Sequence, residues 1–435
     1  MTKLLGLGIG FILIITLVIK KKPLALAMAA GTLVAGLGTG LGVEWLVATW
    51  GRALIHPDTL LLAMMVGSIT LLSWIMAVSK LHERLVYATV KLLHSAKLAV
   101  MIIPPMIGAL PIPGGAIVSA PLLDRPADML GMSQPRKAAV NLVFRHASFF
   151  FLPFSSSLIL ASRMLKVDIY HLIRFLAPLG VVTWVVGYLT LVRGAKEARL
   201  VEADATAPQE IAAGHDGGNG GGGGLGVVPS AAGPAGNRPR SAGREFLITG
   251  APIFAALAIG FVLPVPFWVG VICGIVLALG LSWRTRRWAL GDLLRGIDFK
   301  LVSAMFGIMS FREVVVRGEI LSQLATVLER SAIPLPVLAF TISLLISIVS
   351  ANHNTTLGIA YPMIIPLVAP HEVMAYAMLM FAGSFVAYFS SPLHLCQIVT
   401  NEHCNVTLPQ AFREYVWTLV GVAAAAWGLF YLYLA

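Results

Sequence analysis

The sequence predicts an all-α membrane protein of about ten transmembrane helices plus two re-entrant hairpins, arranged as an inverted-topology repeat. Three observations carry this. Hydrophobic residues make up 58% of the chain and charged residues 12%, against about 25% charged in soluble domains. Apolar runs recur at a length of about 17–25 residues, enough to cross a hydrocarbon core of about 30 Å. The same order of interruptions occurs in both halves.

The runs fall at 4–19, 24–50, 60–79, 138–165, 172–192, 246–264, 266–283, 301–316, 373–400 and 414–434. The first is preceded by Lys3 and followed by "KKKP", the reverse of the charge order in a cleavable leader, so it is expected to stay as an anchor. Between 194 and 243 the chain reads "GHDGGNGGGGGLGVVPSAAGPAGNRPR". Gly and Pro at that density build no core, and the segment is expected to be a flexible cytoplasmic linker. It separates an N-terminal half (1–193) from a C-terminal half (244–435).

The net charge of +11 suggests nucleic acid only until its distribution is read. The basic residues are spread over short loops, as orientation signals are, and no nucleic-acid partner is expected. With the N-terminus outside, Lys20 to Lys22, the stretch from Lys80 to Lys97, Arg125, Arg136, Lys137 and the cluster "WRTRRW" all face the cytoplasm, as the positive-inside rule requires. Ten crossings then place the C-terminus outside as well.

Superposing the halves aligns Pro153 with Pro392 and Arg174 with Arg413, and a small further shift brings Pro121 onto Pro362 and Gly114–Gly115 onto Thr355–Thr356. Each half reads as three spans, an amphipathic connector ("KLHERLVYATVKLL" or "GEILSQLATVLERS"), a broken apolar stretch, a span interrupted by Pro, and a last span. An odd number of crossings per half reverses the second half, the arrangement of many secondary transporters.

Irregular backbone survives in a membrane only when buried in protein or lining a wet cavity. "LPIPGGAIVSAP" (110–121) and "SANHNTTLGIAYP" (350–362) are therefore expected to be hairpin tips entering from opposite sides and meeting near the midplane. Helices starting after each tip point unpaired N–H groups and a positive dipole end at the site. Candidate substrate contacts are Pro113, Gly114, Gly115, Ser119, Arg145, His146, Asn352, His353, Asn354, Thr355, Thr356 and His394. Arg145, within "NLVFRHASFF", either pairs with substrate or reaches to the cytoplasmic face. The second pair of breaks, "FLPFSSS" and "YFSSPLHLC", supplies Ser155, Ser156, Ser157, Ser390 and Ser391 as candidate ligands for a coupling ion, Na⁺ held by oxygen alone, with H⁺ as the other candidate.

Carboxylates are scarce. Glu44 and Glu313 lie toward span ends and Asp124 near a loop, so the middle of the membrane is neutral to positive and suits an anionic passenger. Cys273, Cys396 and Cys404 have no paired metal-ligand spacing, so no resident metal, cofactor or disulfide framework is expected. Neither H-E-x-x-H nor G-x-S-x-G occurs, and no enzyme activity is expected.

The stretches "ALPIPGGAIVSAPLLD", "NLVFRH" and "SSPLHLCQIVTNE" resemble the prokaryotic membrane family catalogued as domain of unknown function 401. That family is grouped with the ion transporter superfamily of gluconate permeases, citrate and dicarboxylate carriers, arsenite pumps and sodium/proton antiporters. The resemblance implies a homodimeric, multi-pass inner-membrane carrier with opposed hairpins and an elevator-type movement. In the dicarboxylate carriers each hairpin tip carries Ser-Asn-Thr. Here the matching positions read Pro113-Gly114-Gly115 and Asn354-Thr355-Thr356, so the first tip departs from that pattern. The expected function is ion-coupled transport of a small organic anion such as a carboxylate or sugar acid; a cation/proton antiporter is the alternative.

Overall fold

The computed structural model describes residues 2–108, 115–196, 241–263, 265–283, 286–318, 323 and 333–435, with the backbone alone for 115–118. The central linker, Pro113, Gly114 and most of the second amphipathic connector lie outside the described residues. Among the described residues all regular structure is helical.

The first half comprises α1 (Thr2–Ile19), α2 (Leu24–Gly38), α3 (Val43–Ile55), α4 (Pro57–Val78), α5 (Leu81–Leu92), α6 (Ala96–Gly108), α7 (Gly115–Met129), α8 (Gln134–Ala147), α9 (Ser156–Leu165) and α10 (Ile169–Gly187). The second comprises α11 (Ala242–Val262), α12 (Phe267–Ser282), α13 (Leu290–Arg295), α14 (Phe299–Arg317), α15 (Leu335–Ser350), α16 (His353–Ile364), α17 (Val373–Ser390), α18 (Leu395–His403) and α19 (Leu408–Leu434). The starts of α17, α18 and α19 are displaced from those of α8, α9 and α10 by the same number of residues that separates Pro153 from Pro392.

Among the described residues six helical stretches are long and apolar enough to cross a membrane: α1, α4, α10 with its continuation to Val192, α11, α17 with α18, and α19. Shorter apolar helices include α2, α6, α9, α12 and α15. The chain is thus an all-helical, multi-pass membrane protein. The run 24–50, expected as one crossing, is two helices. Its apolar pattern continues across "GTGLG", but Gly40 and Gly42 adopt φ of +74° and +87°, a region open to glycine at little cost, and the helix ends there.

Lipid tails are as apolar as leucine, so helices associate through close packing of small residues rather than through hydrophobicity. The opening pair of each half shows this. A Cβ on Gly6 of α1 would lie 2.5 Å from Cα of Gly38 in α2, and one on Gly270 of α12 would lie 2.4 Å from the carbonyl oxygen of Ala256 in α11. These pairs sit at the periphery: 22% of the α1 span is buried against protein, compared with 72% of the span made by α17 and α18. Around α17 the rings of Phe150, Phe381 and Phe385 pack closely, Phe150 and Phe385 at 4.5 Å between centroids. The last spans begin with built caps. Asp168 accepts from the Tyr170 N–H at 2.8 Å, and Thr407 with Gln410 forms a capping box at α19, each satisfying N–H groups that the helix leaves unpaired.

Candidate functional site

Three interruptions converge on one cavity of about 220 Å³. The first lies between α15 and α16. Ala351 takes φ of +47° to end α15, and Asn352 caps α16 by accepting from the Thr355 N–H at 3.0 Å. The second lies between α8 and α9, where a tight turn at Ser148–Phe150 and Pro153 bring the chain to a fresh helix start at Ser156. The third separates α17 from α18, which begins after His394 with no side-chain cap. Ser155, Ser156, Ser157, Asn352, His353, Asn354 and Cys396 line the cavity from these three helix starts, joined by Gly108 at the end of α6, by Arg145 and His146 of α8, and by Tyr388 of α17. N-terminal turns present N–H donors and partial positive charge.

Arg145 is the cation of this lining, in which no carboxylate takes part among the described residues. It is 8% exposed, lines the cavity and donates from Nη1 to Ser119 Oγ at 3.2 Å. Its approach to α6 depends on Gly108, where a Cβ would lie 2.8 Å from Arg145 Cγ. Across the cavity, Asn354 donates from Nδ2 to Ser156 Oγ at 3.0 Å, while its buried Oδ1 has no partner among the described residues. Ser155 and Ser157 share a hydrogen bond of 2.7 Å. His353 bonds Ser384 through Nδ1 and leaves Nε2 buried without a partner among the described residues.

The remaining sequence candidates divide. Thr355 and Thr356 are buried at the start of α16, Thr356 donating to the Asn352 carbonyl at 3.1 Å. His394 packs beside the cavity, its ring centroid 4.9 Å from that of His146 and 3.9 Å from that of Tyr388. Gly115 begins α7; Pro113 and Gly114 lie outside the described residues. Ser390 and Ser391 do not line the cavity. α17 runs on to Ser390, whose hydroxyl donates back to the Val386 carbonyl at 2.9 Å, and Ser391 donates to the Ile348 carbonyl at 2.6 Å.

Sequence reasoning missed Tyr388 and Cys396. Both stand in "YFSSPLHLC", where the spacing of His394 and Cys396 is legible, while His146 reaches them only through the fold.

The sequence profile of the family described as "Protein of unknown function (DUF401)" matches residues 4–205 and 234–433. The chain belongs to this family. The match runs through both halves of the DUF401 chain and every residue of the cavity lining. A search of curated proteins gives no match. Among solved structures, the Alcanivorax borkumensis YdaH transporter, described as having an unusual topology, is similar, with 15% sequence identity, a TM-score of 0.53, and coverage of 88% of this chain and 86% of that one. At that identity the likeness speaks for the fold: this DUF401 protein shares the helical architecture of a membrane transporter.

Proposed function

We propose that the protein is a secondary active transporter of a small organic anion, a carboxylate or sugar acid, coupled to Na⁺ or H⁺. One observation carries the reading: three helix starts and a buried arginine surround a single cavity from which carboxylates are absent among the described residues. An oxyanion placed there meets the Arg145 guanidinium, the N–H groups opening α9 and α16, and the hydroxyls of Ser155 to Ser157. Such an anion supplies acceptors to the N–H groups opening α9, which no side chain caps.

The matched order of elements in the two halves supports an inverted repeat of about ten crossings and two hairpins, α6–α7 and α15–α16. Transport would then proceed by alternating access, the hairpins and broken spans moving as a loaded unit against the peripheral helices, in a homodimer in the prokaryotic inner membrane with both termini outside. The coupling ion biases the two states by binding one of them better. A cation/proton antiporter usually carries an ionisable acid at its centre, and the described cavity lining offers no carboxylate.

The test is uptake into proteoliposomes under an inward Na⁺ or proton gradient, screened with mono-, di- and tricarboxylates and sugar acids. Accumulation that is lost in Asn354→Ala is expected. Cation-driven proton exchange with no anion uptake would overturn the reading.

A further inference from the structure

His146 and His394 come from different halves of the chain, yet their ring centroids lie 4.9 Å apart at an interplanar angle of 79°. His146 Nδ1 lies 2.8 Å from the Leu142 carbonyl oxygen. A carbonyl only accepts, so Nδ1 carries the ring proton and Nε2 holds the lone pair. Histidine ligands of metals are commonly fixed in this way, the second nitrogen donating to a backbone carbonyl. His394 is 1% exposed, and both of its ring nitrogens lack partners among the described residues. Tyr388 lies against that ring at 3.9 Å between centroids and holds its plane. Cys396 completes the group: its sulfur and one nitrogen of each histidine all lie within 4.8 Å of one another.

We propose that His146, His394 and Cys396 form a binding site for a soft monovalent d¹⁰ cation, of which Cu(I) is the biological representative. Metal–nitrogen and metal–sulfur bonds of about 2.0–2.3 Å place three ligand atoms about 3.7 Å apart in a trigonal plane. The present atoms, within 4.8 Å of one another, close to that by at most about 1 Å. Thiolate and imidazole are the donors that soft ions select. Charge decides the oxidation state. Two neutral imidazoles and one thiolate carry a single negative charge, which Cu(I) cancels and Zn(II) overcompensates. An uncompensated charge is costly inside a membrane, and the adjoining cavity already holds the Arg145 cation without a carboxylate among its described lining residues.

Binding exchanges the thiol proton for the metal, one proton passing to water in the cavity as one sulfur–metal bond forms, with no redox step. Cys396 lines the cavity, so the ion has a route to the site. The bound ion joins α8 to the start of α18 and resists any movement of one against the other. This inference stands apart from the proposed passenger and does not depend on it.

The full-length protein carrying Cys273→Ser and Cys404→Ser retains Cys396 as its sole thiol. In detergent, with Cu(I) maintained by ascorbate and buffered by bicinchoninate, it is expected to hold one equivalent of copper per chain. Affinity should fall at least about tenfold in Cys396→Ser and in His394→Ala. X-ray absorption of the copper-loaded protein should show one sulfur and two imidazoles, a readout that stands if the single-site variants fail to fold. Failure to retain copper, retention undiminished by Cys396→Ser in folded protein, a copper shell without sulfur, or retention of Zn(II) in preference to Cu(I) would each overturn the proposal.

Discussion

Asn354 donates its side-chain amide to the hydroxyl of Ser156 at 3.0 Å, a bond between two helix starts that belong to opposite halves of the chain. It closes one wall of the cavity and links the α15–α16 break to the α8–α9 break. A hydrogen bond of this kind contributes about 0.5–1.5 kcal/mol net. Asn354→Ala is therefore expected to lower thermal stability by about that amount while reducing anion uptake at least tenfold. Asn354→Asp places a carboxylate where an anion should bind and is expected to abolish uptake even where the fold survives. Uptake assays beside a thermal-shift measurement separate the two effects.

Arg145 is buried, donates to Ser119, and has no ion-pair partner among the described residues. Burying an uncompensated charge costs several kcal/mol, so removing it should relieve the ligand-free protein. Arg145→Met is expected to match or exceed the wild type in thermal stability and to lose anion binding completely. Arg145→Lys keeps the charge but not the planar fork that engages two oxygens at once, and binding about tenfold weaker is expected. Ligand-induced thermal shifts across the three proteins check this. A destabilised Arg145→Met that still transports would assign the arginine to the fold instead of the passenger.

Gly108 ends α6 directly against α8, where an added Cβ meets Arg145 Cγ at 2.8 Å and the Arg145 carbonyl oxygen at 3.0 Å. The backbone oxygen cannot turn aside as a side-chain tip can. Gly108→Ala is expected to cost about 1–3 kcal/mol, as overpacking does, and to displace the guanidinium, lowering uptake as well. Gly428 in α19 has nothing within 4 Å of the same added atom. Gly428→Ala should leave uptake unchanged and hold or raise thermal stability, since Ala favours helix over Gly by up to about 1 kcal/mol.

How far the fold and the site could be read from the sequence follows from which residues act locally. Pro153, Pro392 and the run around Asn352 break helices by their own backbone chemistry, so the interruptions and their matched order are visible in one dimension. The glycines at 40 and 42 act locally too, yet the apolar pattern continues on either side and hid the turn. The serines are harder. "FSSS" and "YFSSP" look alike, but Ser156 opens a helix and Ser390 closes one. A serine at a helix start is free to face the cavity, whereas one in a last turn bonds back to its own helix. His394 and Cys396 are two residues apart, but His146 joins them only through packing between the halves, which no spacing along the chain encodes.

The difference between the two serine groups yields a prediction about ion coupling. Ser155 and Ser157 lie 2.7 Å apart at the start of α9 and face the cavity, so their oxygens are available to a small cation there. The Ser390 hydroxyl donates to the Val386 carbonyl at 2.9 Å and does not line the cavity. If Na⁺ is the coupling ion, Ser155→Ala and Ser157→Ala should each raise the Na⁺ concentration for half-maximal uptake severalfold, with a smaller effect on anion affinity at saturating Na⁺. Ser390→Ala should leave the Na⁺ dependence at the wild-type value. Titrating Na⁺ at fixed anion in proteoliposomes reads both, and a shift in Ser390→Ala equal to that in Ser155→Ala would place the ion at the α17–α18 break instead.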